Sequence, residues 1–250
     1  MTLAEFFKTH PDVAIALSGG VDSAYLLYAA MHHARRVKAY FVKSAFQPQF
    51  ELEDARRLAQ ELSAELAIIE VDVLADERVC ANPADRCYHC KRRIFAAIRD
   101  QAIKDGFKFL LDGTNASDDA SDRPGMVALR ELSVLSPLRM CGMTKQEIRR
   151  LSREAGLFTW SKPSYACLAT RIPTGQTITR EALARTEQSE AYLFSLGFRD
   201  FRVRTMGDSA KIQVVSEQLP LLMQHRLEIL NKLGKVYGSV LLDLETRDEH

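Results

Sequence analysis

Val13-Ala-Ile-Ala-Leu-Ser-Gly-Gly-Val-Asp-Ser-Ala-Tyr-Leu-Leu27 passes from an unbroken apolar run, through two glycines, into an apolar repeat of helical spacing. Residues 13–17 predict a strand buried on both faces and residues 23–34 a helix, so Ser18-Gly-Gly-Val-Asp-Ser23 occupies a strand-to-helix turn. Gly19 and Gly20 let the backbone turn tightly and approach an anion. The helix start offers free N–H groups, and the Ser18 and Ser23 hydroxyls add donors. The design suits phosphate or pyrophosphate. Asp22 would repel bare phosphate, and its presence makes sense if it holds a Mg²⁺ that bridges the phosphates. The stretch lacks the Gly-Lys-Ser/Thr of a Walker A loop and the third glycine of a dinucleotide fingerprint, so kinases, GTPases and nicotinamide enzymes fit poorly. The plain alternative is a glycine-rich turn with a serine cap.

Working outward, strands at 37–42 and 66–71 alternate with a helix at 52–62, the rhythm of βαβ units and a parallel sheet. An irregular stretch, 80–90, precedes a helix at 91–104. A fourth strand, 107–111, feeds Asp112-Gly-Thr-Asn115. A fifth is expected at 134–138, and Thr144-Lys-Gln-Glu147 reads as a capping box opening a helix that ends near Gly156. The sheet domain is thus placed at 1–156. Residues 157–178, with Pro163, Pro173 and Gly175, read as a linker carrying Cys167. Residues 179–250 follow as helix 180–196, strands 201–205 and 211–215, helix 219–233 and strand 236–244. The expected class is α/β, a parallel-sheet domain with a smaller C-terminal α+β domain.

Thirty-four Lys and Arg against 33 Asp and Glu leave a net charge of +1, without a polyanion-binding signature, so nucleic acid is not the expected partner. No apolar run approaches the ~20 residues that cross a bilayer, and residues 1–10 do not read as a secretory leader, which places the chain in the cytoplasm. Five cysteines, thinly spread, do not look like a disulfide framework.

Cys87-x-x-Cys90 together with the distant Cys167 matches a three-thiolate site for a [4Fe–4S] cluster with one open iron, which can bind sulfide. Zinc, with His89, His32 or His33 as fourth donor, and a dithiol redox pair are the competing readings. Cys80 and Cys141 read as small packed hydrophobes. Arg202-Val-Arg204 on a strand points two guanidinium groups to one face, either a bidentate clamp for phosphate or carboxylate or an edge strand's solvated face. Glu187 and Glu190 share a helix face and read as solvated carboxylates. Asp112, Gly113, Thr114 and Asn115 stand at the carboxyl end of a strand, where open α/β sheets bind ligands; with Ser18, Gly19, Gly20, Asp22 and Ser23 they are assigned to an ATP site. Simple turn chemistry is their alternative. Glu131 and Arg171 are further candidates for nucleotide or substrate contact.

The hexapeptide resembles the PP-loop of the ATP pyrophosphatase superfamily. Asn82-Pro-Ala-Asp-Arg-Cys-Tyr-His-Cys-Lys91, Asp112-Gly-Thr-Asn-Ala116, Arg123-Pro-Gly125, Ser136-Pro-Leu138, Lys162-Pro163, Ala166-Cys-Leu-Ala-Thr-Arg-Ile-Pro173 and Arg202-Val-Arg204 then follow in the order of the LarE family of sulfur-inserting enzymes, over nearly the whole chain. The resemblance implies a Rossmann-like (HUP-type) domain, ATP and Mg²⁺, adenylation of a carboxylate of pyridinium-3,5-biscarboxylic acid mononucleotide with release of pyrophosphate, and conversion to a thiocarboxylate. It also implies that Arg202 and Arg204 grip the substrate phosphate, that an acidic residue near Glu190 binds metal, and that the assembly is a homo-oligomer, a hexamer. Some relatives carry only the equivalent of Cys167 and surrender its sulfur; all three cysteines here imply a cluster that relays sulfide from a separate donor. The chain departs from the pattern at Gln213, where glutamate is expected, and in the tail 245–250. A tRNA thiolase and a non-catalytic nucleotide-binding module are the rival functions; the first usually brings zinc-finger cysteines or a basic surface, the second needs neither three cysteines nor paired arginines.

Overall fold

A computed structural model of the protein describes residues 1–118 and 124–247. In chain order the elements up to residue 154 are α1 (Leu3–Thr9), β1 (Asp12–Ala16), α2 (Val21–His33), β2 (Arg36–Lys43), α3 (Gln49–Glu61), β3 (Glu65–Glu70), α4 (Glu77–Cys80), α5 (Arg86–Lys104), β4 (Phe109–Leu111), α6 (Pro124–Glu131), α7 (Pro137–Met140) and α8 (Lys145–Glu154). The chain then gives α9 (Arg180–Ser195), β5 (Phe201–Met206), β6 (Ser209–Val214), α10 (Leu219–Gln224), α11 (Arg226–Leu233) and β7 (Ser239–Leu242). Two compact units result. Met1–Val73 and Asp85–Lys162 form the first, Leu74–Ala84 and Pro163–His250 the second.

The first unit holds a four-stranded parallel sheet in the order β3-β2-β1-β4. β1 lies inside the sheet, which is why Val13, Ala14 and Ile15 are all fully buried and the run is apolar without alternation. One apolar cluster joins Ile15, Leu26, Leu27 and Phe41 to Phe6 and Phe7 of α1; a second joins Ala14 and Tyr40 to Ile98 and Leu129 of α5 and α6. Each fully buried large side chain contributes about 1.5–3 kcal/mol. The order of strands reverses between β1 and β4. Crevices for ligands open at the carboxyl ends of strands at such a reversal, and both the Ser18–Ser23 loop and Asp112–Asn115 leave from those two ends.

In the second unit β5 pairs antiparallel with β6, and β6 parallel with β7. Phe198, Phe201, Val203, Ile212 and Leu233 make its core. Segment 74–84 joins it through the Asn82 carbonyl, which accepts from Gly175 N at 2.8 Å, and the Cys80 carbonyl, which accepts from Ile178 N at 2.8 Å. The amide of Asn82, 1% exposed, donates to Pro173 O at 2.8 Å.

Several expected elements differ. The strand at 134–138 reduces to one parallel bridge, Leu111 with Leu135, because Pro137 has no N–H for a ladder and instead starts α7 after Ser136. The helix at 91–104 begins at Arg86, so Cys87 and Cys90 lie within its first two turns and not on an irregular stretch. The helix at 219–233 breaks at His225 into α10 and α11. Thr144 caps α8 by accepting from Glu147 N at 3.3 Å. Arg123, part of one quoted motif, and the last three residues of the tail lie outside the described residues.

Candidate functional site

Ser23 closes the loop after β1. Its hydroxyl donates to Gly20 O at 3.2 Å, accepts from Ser18 N at 3.1 Å, and lies 3.0 Å from the Ser18 hydroxyl. Gly19 has φ +78°, and a Cβ there would stand 3.2 Å from Glu51 O, so glycine serves both the turn and the close approach of α3. Gly20 caps α2 without a side-chain acceptor, leaving the first N–H groups of that helix open to a ligand.

The turn after β4 packs onto this loop. A Cβ on Gly113 would meet Ser23 N at 2.7 Å and Ser23 Cα at 3.0 Å, both backbone, so only glycine lets β4 deliver its loop to the start of α2. Asn115, 2% exposed, donates from Nδ2 to Asp22 Oδ1 at 3.3 Å. Thr114 donates to Asp112, and Ser136 donates to the other Asp112 oxygen at 2.5 Å. Burial pushes the Asp112 carboxyl above its ordinary value, against the opposing effect of those two hydroxyls. Asp112 and Thr114 therefore shape the turn, while Gly113 and Asn115 touch the loop and its acid directly. The sequence-assigned ATP residues of the first unit thus lie together.

Two lysines to which the sequence reading gave no role stand at the same loop. Lys145 Nζ pairs with Asp22 Oδ2 at 2.5 Å, and Lys162 Nζ donates to Gly19 O at 3.0 Å and to Asp54 Oδ2 at 2.6 Å. A carboxylate already holding a cation, beside open helix N–H groups and a cradle that a Cβ would fill, is a donor set that fits Mg²⁺ with a polyphosphate.

Cys87 is exposed and Cys90 buried, one turn apart on the same side of α5, with Arg86 Nη2 3.7 Å from Cys87 Sγ. Tyr88 donates to Glu131 at 2.9 Å, and Arg92 lies 3.7 Å from the same carboxylate. Glu131, a candidate ligand contact from the sequence, thus ties α6 to the cysteine-bearing turn. Cys167 belongs to the second unit. Among the described residues no group of three or more His, Cys, Asp or Glu side chains converges to hold a metal ion. Two thiols on one helical face fit two of the three thiolate ligands that the expected cluster would need. Cys80 donates to Leu74 O, and burial pushes the Cys141 thiol up, in keeping with packing roles.

In the second unit Arg171 and Glu190 correct two expectations. The Arg171 side chain has no exposed surface; its Nη1 donates to Ala166 O and to Thr170 Oγ1, both at 2.8 Å, so it anchors the chain around Cys167 and presents no donor outward. Glu190 is 2% exposed, not solvated: it pairs with Arg171, accepts from Val203 N at 2.9 Å and accepts from the Tyr165 hydroxyl. Its oxygens are fully engaged, which leaves no donor for a metal. Burial alone would lower the Arg171 pKa, but the Glu190 hydrogen bonds and charge, with smaller help from Tyr165 and Cys167, hold it above its ordinary value.

The arginine pair divides. Arg202 is buried, its guanidinium donating to Phe201 O and Ser164 O, each at 2.6 Å, and lying over the Tyr165 ring. Burial first, then the Arg171 and Arg247 charges, bring its pKa down to about 10. Arg204 is half-buried and lines a cavity of about 490 Å³ with Lys211, Arg247, Gln213 and the acidic Asp243 and Glu245, Lys211 pairing with Asp243 at 2.7 Å. Gln213 accepts from Arg204 at 3.2 Å and donates to Glu245 O at 3.1 Å, two opposite tasks that a glutamate could not perform together.

A family model described as "Queuosine biosynthesis protein QueC" matches residues 12–93, from β1 through the cysteine-bearing turn of α5. An uncharacterized protein of Synechocystis sp. is 34% identical over 97% of this chain and 92% of its own. The pyridinium-3,5-bisthiocarboxylic acid mononucleotide synthase of Lactiplantibacillus plantarum is 33% identical over 85% of this chain and 78% of its own. The tRNA-specific 2-thiouridylase MnmA of Thermotoga maritima is 28% identical over 60% of this chain and 54% of its own, a weaker and shorter likeness. With the loop, its glycine cradle and a near full-length match to a named synthase in hand, the chain belongs to the LarE family of ATP-dependent, sulfur-inserting synthases within the PP-loop superfamily.

Proposed function

We propose that this protein adenylates a carboxylate of pyridinium-3,5-biscarboxylic acid mononucleotide, releases pyrophosphate, and converts the acyl-adenylate to a thiocarboxylate. The observation that carries the reading is the packing of Gly113 and Asn115 on the Ser18–Ser23 loop, in a chain matching the L. plantarum synthase over 85% of its length. The loop N–H groups and Ser18 and Ser23 hydroxyls bind pyrophosphate oxygens, Asp22 holds Mg²⁺, and Gly113, Thr114 and Asn115 form the nucleotide's floor. The substrate carboxylate attacks the α-phosphorus as the bond to pyrophosphate breaks. A sulfur nucleophile then displaces AMP.

Arg204, with Lys211 and Arg247, takes the substrate phosphate, and Arg202 fixes the chain leading to Cys167. Cys87, Cys90 and Cys167 would hold a [4Fe–4S] cluster, which would supply a seat for sulfide. Thiolates kept reduced in the cytoplasm suit that role, and a homo-hexamer completes the reading. Anaerobic purification with iron and sulfide analysis, together with ATP/pyrophosphate exchange, tests the reading. Pyrophosphate release should depend on the pyridinium nucleotide, and iron should vanish on Cys87→Ala, Cys90→Ala or Cys167→Ala but persist in Cys80→Ala and Cys141→Ala. ADP as product, or stimulation by bulk tRNA, would overturn it. Bound zinc with no loading of iron would remove the cluster alone.

A further inference from the structure

The Ser18–Ser23 loop has no lysine, although loops that cradle phosphates commonly add an ammonium group to their backbone N–H donors. The fold brings one from elsewhere. Lys145 is the first residue of α8, its backbone fixed by the bond from its N–H to Ser117 Oγ at 3.0 Å and, two residues earlier, by Met143 O accepting from Ala116 N at 2.8 Å. The loop after β4 is therefore fastened to the start of α8. From that fixed point the Lys145 side chain reaches Asp22, on the first turn of α2, at 2.5 Å.

The pair is built to open. The Lys145 side chain is 33% exposed and that of Asp22 20%, so water reaches the pair and weakens it, and a polyanion can compete for the ammonium. Asn115 holds the other Asp22 oxygen, which keeps the carboxylate in place when Lys145 leaves. Lys162, the other lysine at the loop, differs: its ammonium bridges Gly19 O and Asp54 and lies 5.2 Å from the Phe50 ring centre, a latch within the protein.

We propose that Lys145 is the phosphate-facing cation of this loop, resting on Asp22 until a polyphosphate enters and then turning onto the pyrophosphate oxygens. The inference rests on the nucleotide reading above. It assigns Lys145 to binding and to positioning of the leaving group, and it explains why a phosphate loop carries an aspartate: that carboxylate parks the ammonium before it receives Mg²⁺.

Calorimetric titration of inorganic pyrophosphate and of ATP, each in EDTA and in Mg²⁺, tests it on wild type, K145M, K145R and D22N. K145M should weaken pyrophosphate binding in EDTA by about 10- to 100-fold, the scale of a lost charge-assisted hydrogen bond. K145R should keep part of it. D22N should shift the other way, binding pyrophosphate in EDTA at least as tightly as wild type, because it frees the ammonium and removes a negative charge. A purely structural ion pair predicts the same direction for both partners. Equal binding by K145M and wild type, or loss of affinity in D22N equal to that in K145M, would overturn the assignment. A wild-type protein that bound neither ligand in either condition would overturn the nucleotide reading itself.

Discussion

Arg171 and Glu190 face each other in the second unit as a two-pronged pair, Nε to Oε1 at 2.8 Å and Nη2 to Oε2 at 3.1 Å, with both side chains shut off from solvent. Taking both charges from water is costly, and the geometry repays it because each guanidinium nitrogen and each carboxylate oxygen has a hydrogen-bond partner. Removing one partner leaves the other uncompensated. Glu190→Ala should therefore cost about 3–5 kcal/mol, whereas Arg171→Met with Glu190→Leu should be far milder. Thermal unfolding followed by tyrosine circular dichroism decides it, and a single variant that melted with wild type would show the pair to be energetically idle.

Gly113→Ala should lose about 1–3 kcal/mol of stability and at least tenfold in ATP affinity, since the new methyl meets the backbone at Ser23 and must push the loop off its helix. Urea unfolding and nucleotide titration on the same sample report the two effects. Wild-type ATP affinity in this variant would mean that the nucleotide does not use the floor described for it.

The two arginines of β5 should separate experimentally. Arg204→Ala should slow substrate use by about 10- to 100-fold with the melting temperature unchanged, as the loss of a charge-assisted contact would do. Arg202→Ala should instead lower the melting temperature, because two backbone carbonyls lose their donor. The reverse pattern would move the phosphate site to Arg202.

Asp112 gives a pH signature. Its folded carboxyl keeps its proton to higher pH than the unfolded chain does, so its contribution to stability is greatest below about pH 4 and declines as pH rises through the raised folded value. Asp112→Asn should remove that decline, and wild type minus variant stability, measured by urea unfolding from about pH 4 to about pH 8, should fall with pH. A flat difference would mean that the carboxyl titrates alike in both states.

The parallel sheet and the loop were legible because they are local: an apolar run, a turn and a helical repeat follow one another in fifteen residues. Gly113 and Asn115 were reachable through the rule that open sheets bind at strand ends. The reach of Lys145 and Lys162 to that loop was not, since they meet it 123 and 143 positions away in sequence, and neither the capping box around Lys145 nor the Lys162-Pro163 motif says where the ammonium group lands. Arg171 and Glu190 misled for a different reason: a charge reads as exposed until its partner is found, and that partner lies 19 residues on in another element. The strand expected at 134–138 failed at Pro137, which the apolar run around it outweighed.

The excursion of residues 74–84 into the second unit, and the return at Asp85, make the chain cross between the units at three points, after residues 73, 84 and 162. A fragment cut after Lys162 would therefore carry away the strip that Gly175 and Ile178 use for backbone pairing, and a fragment starting at Pro163 would lack it. Neither half is a separable module. Grafting this second unit onto another PP-loop scaffold would require transplanting two stretches of gene together, which ties the inheritance of the two halves to each other.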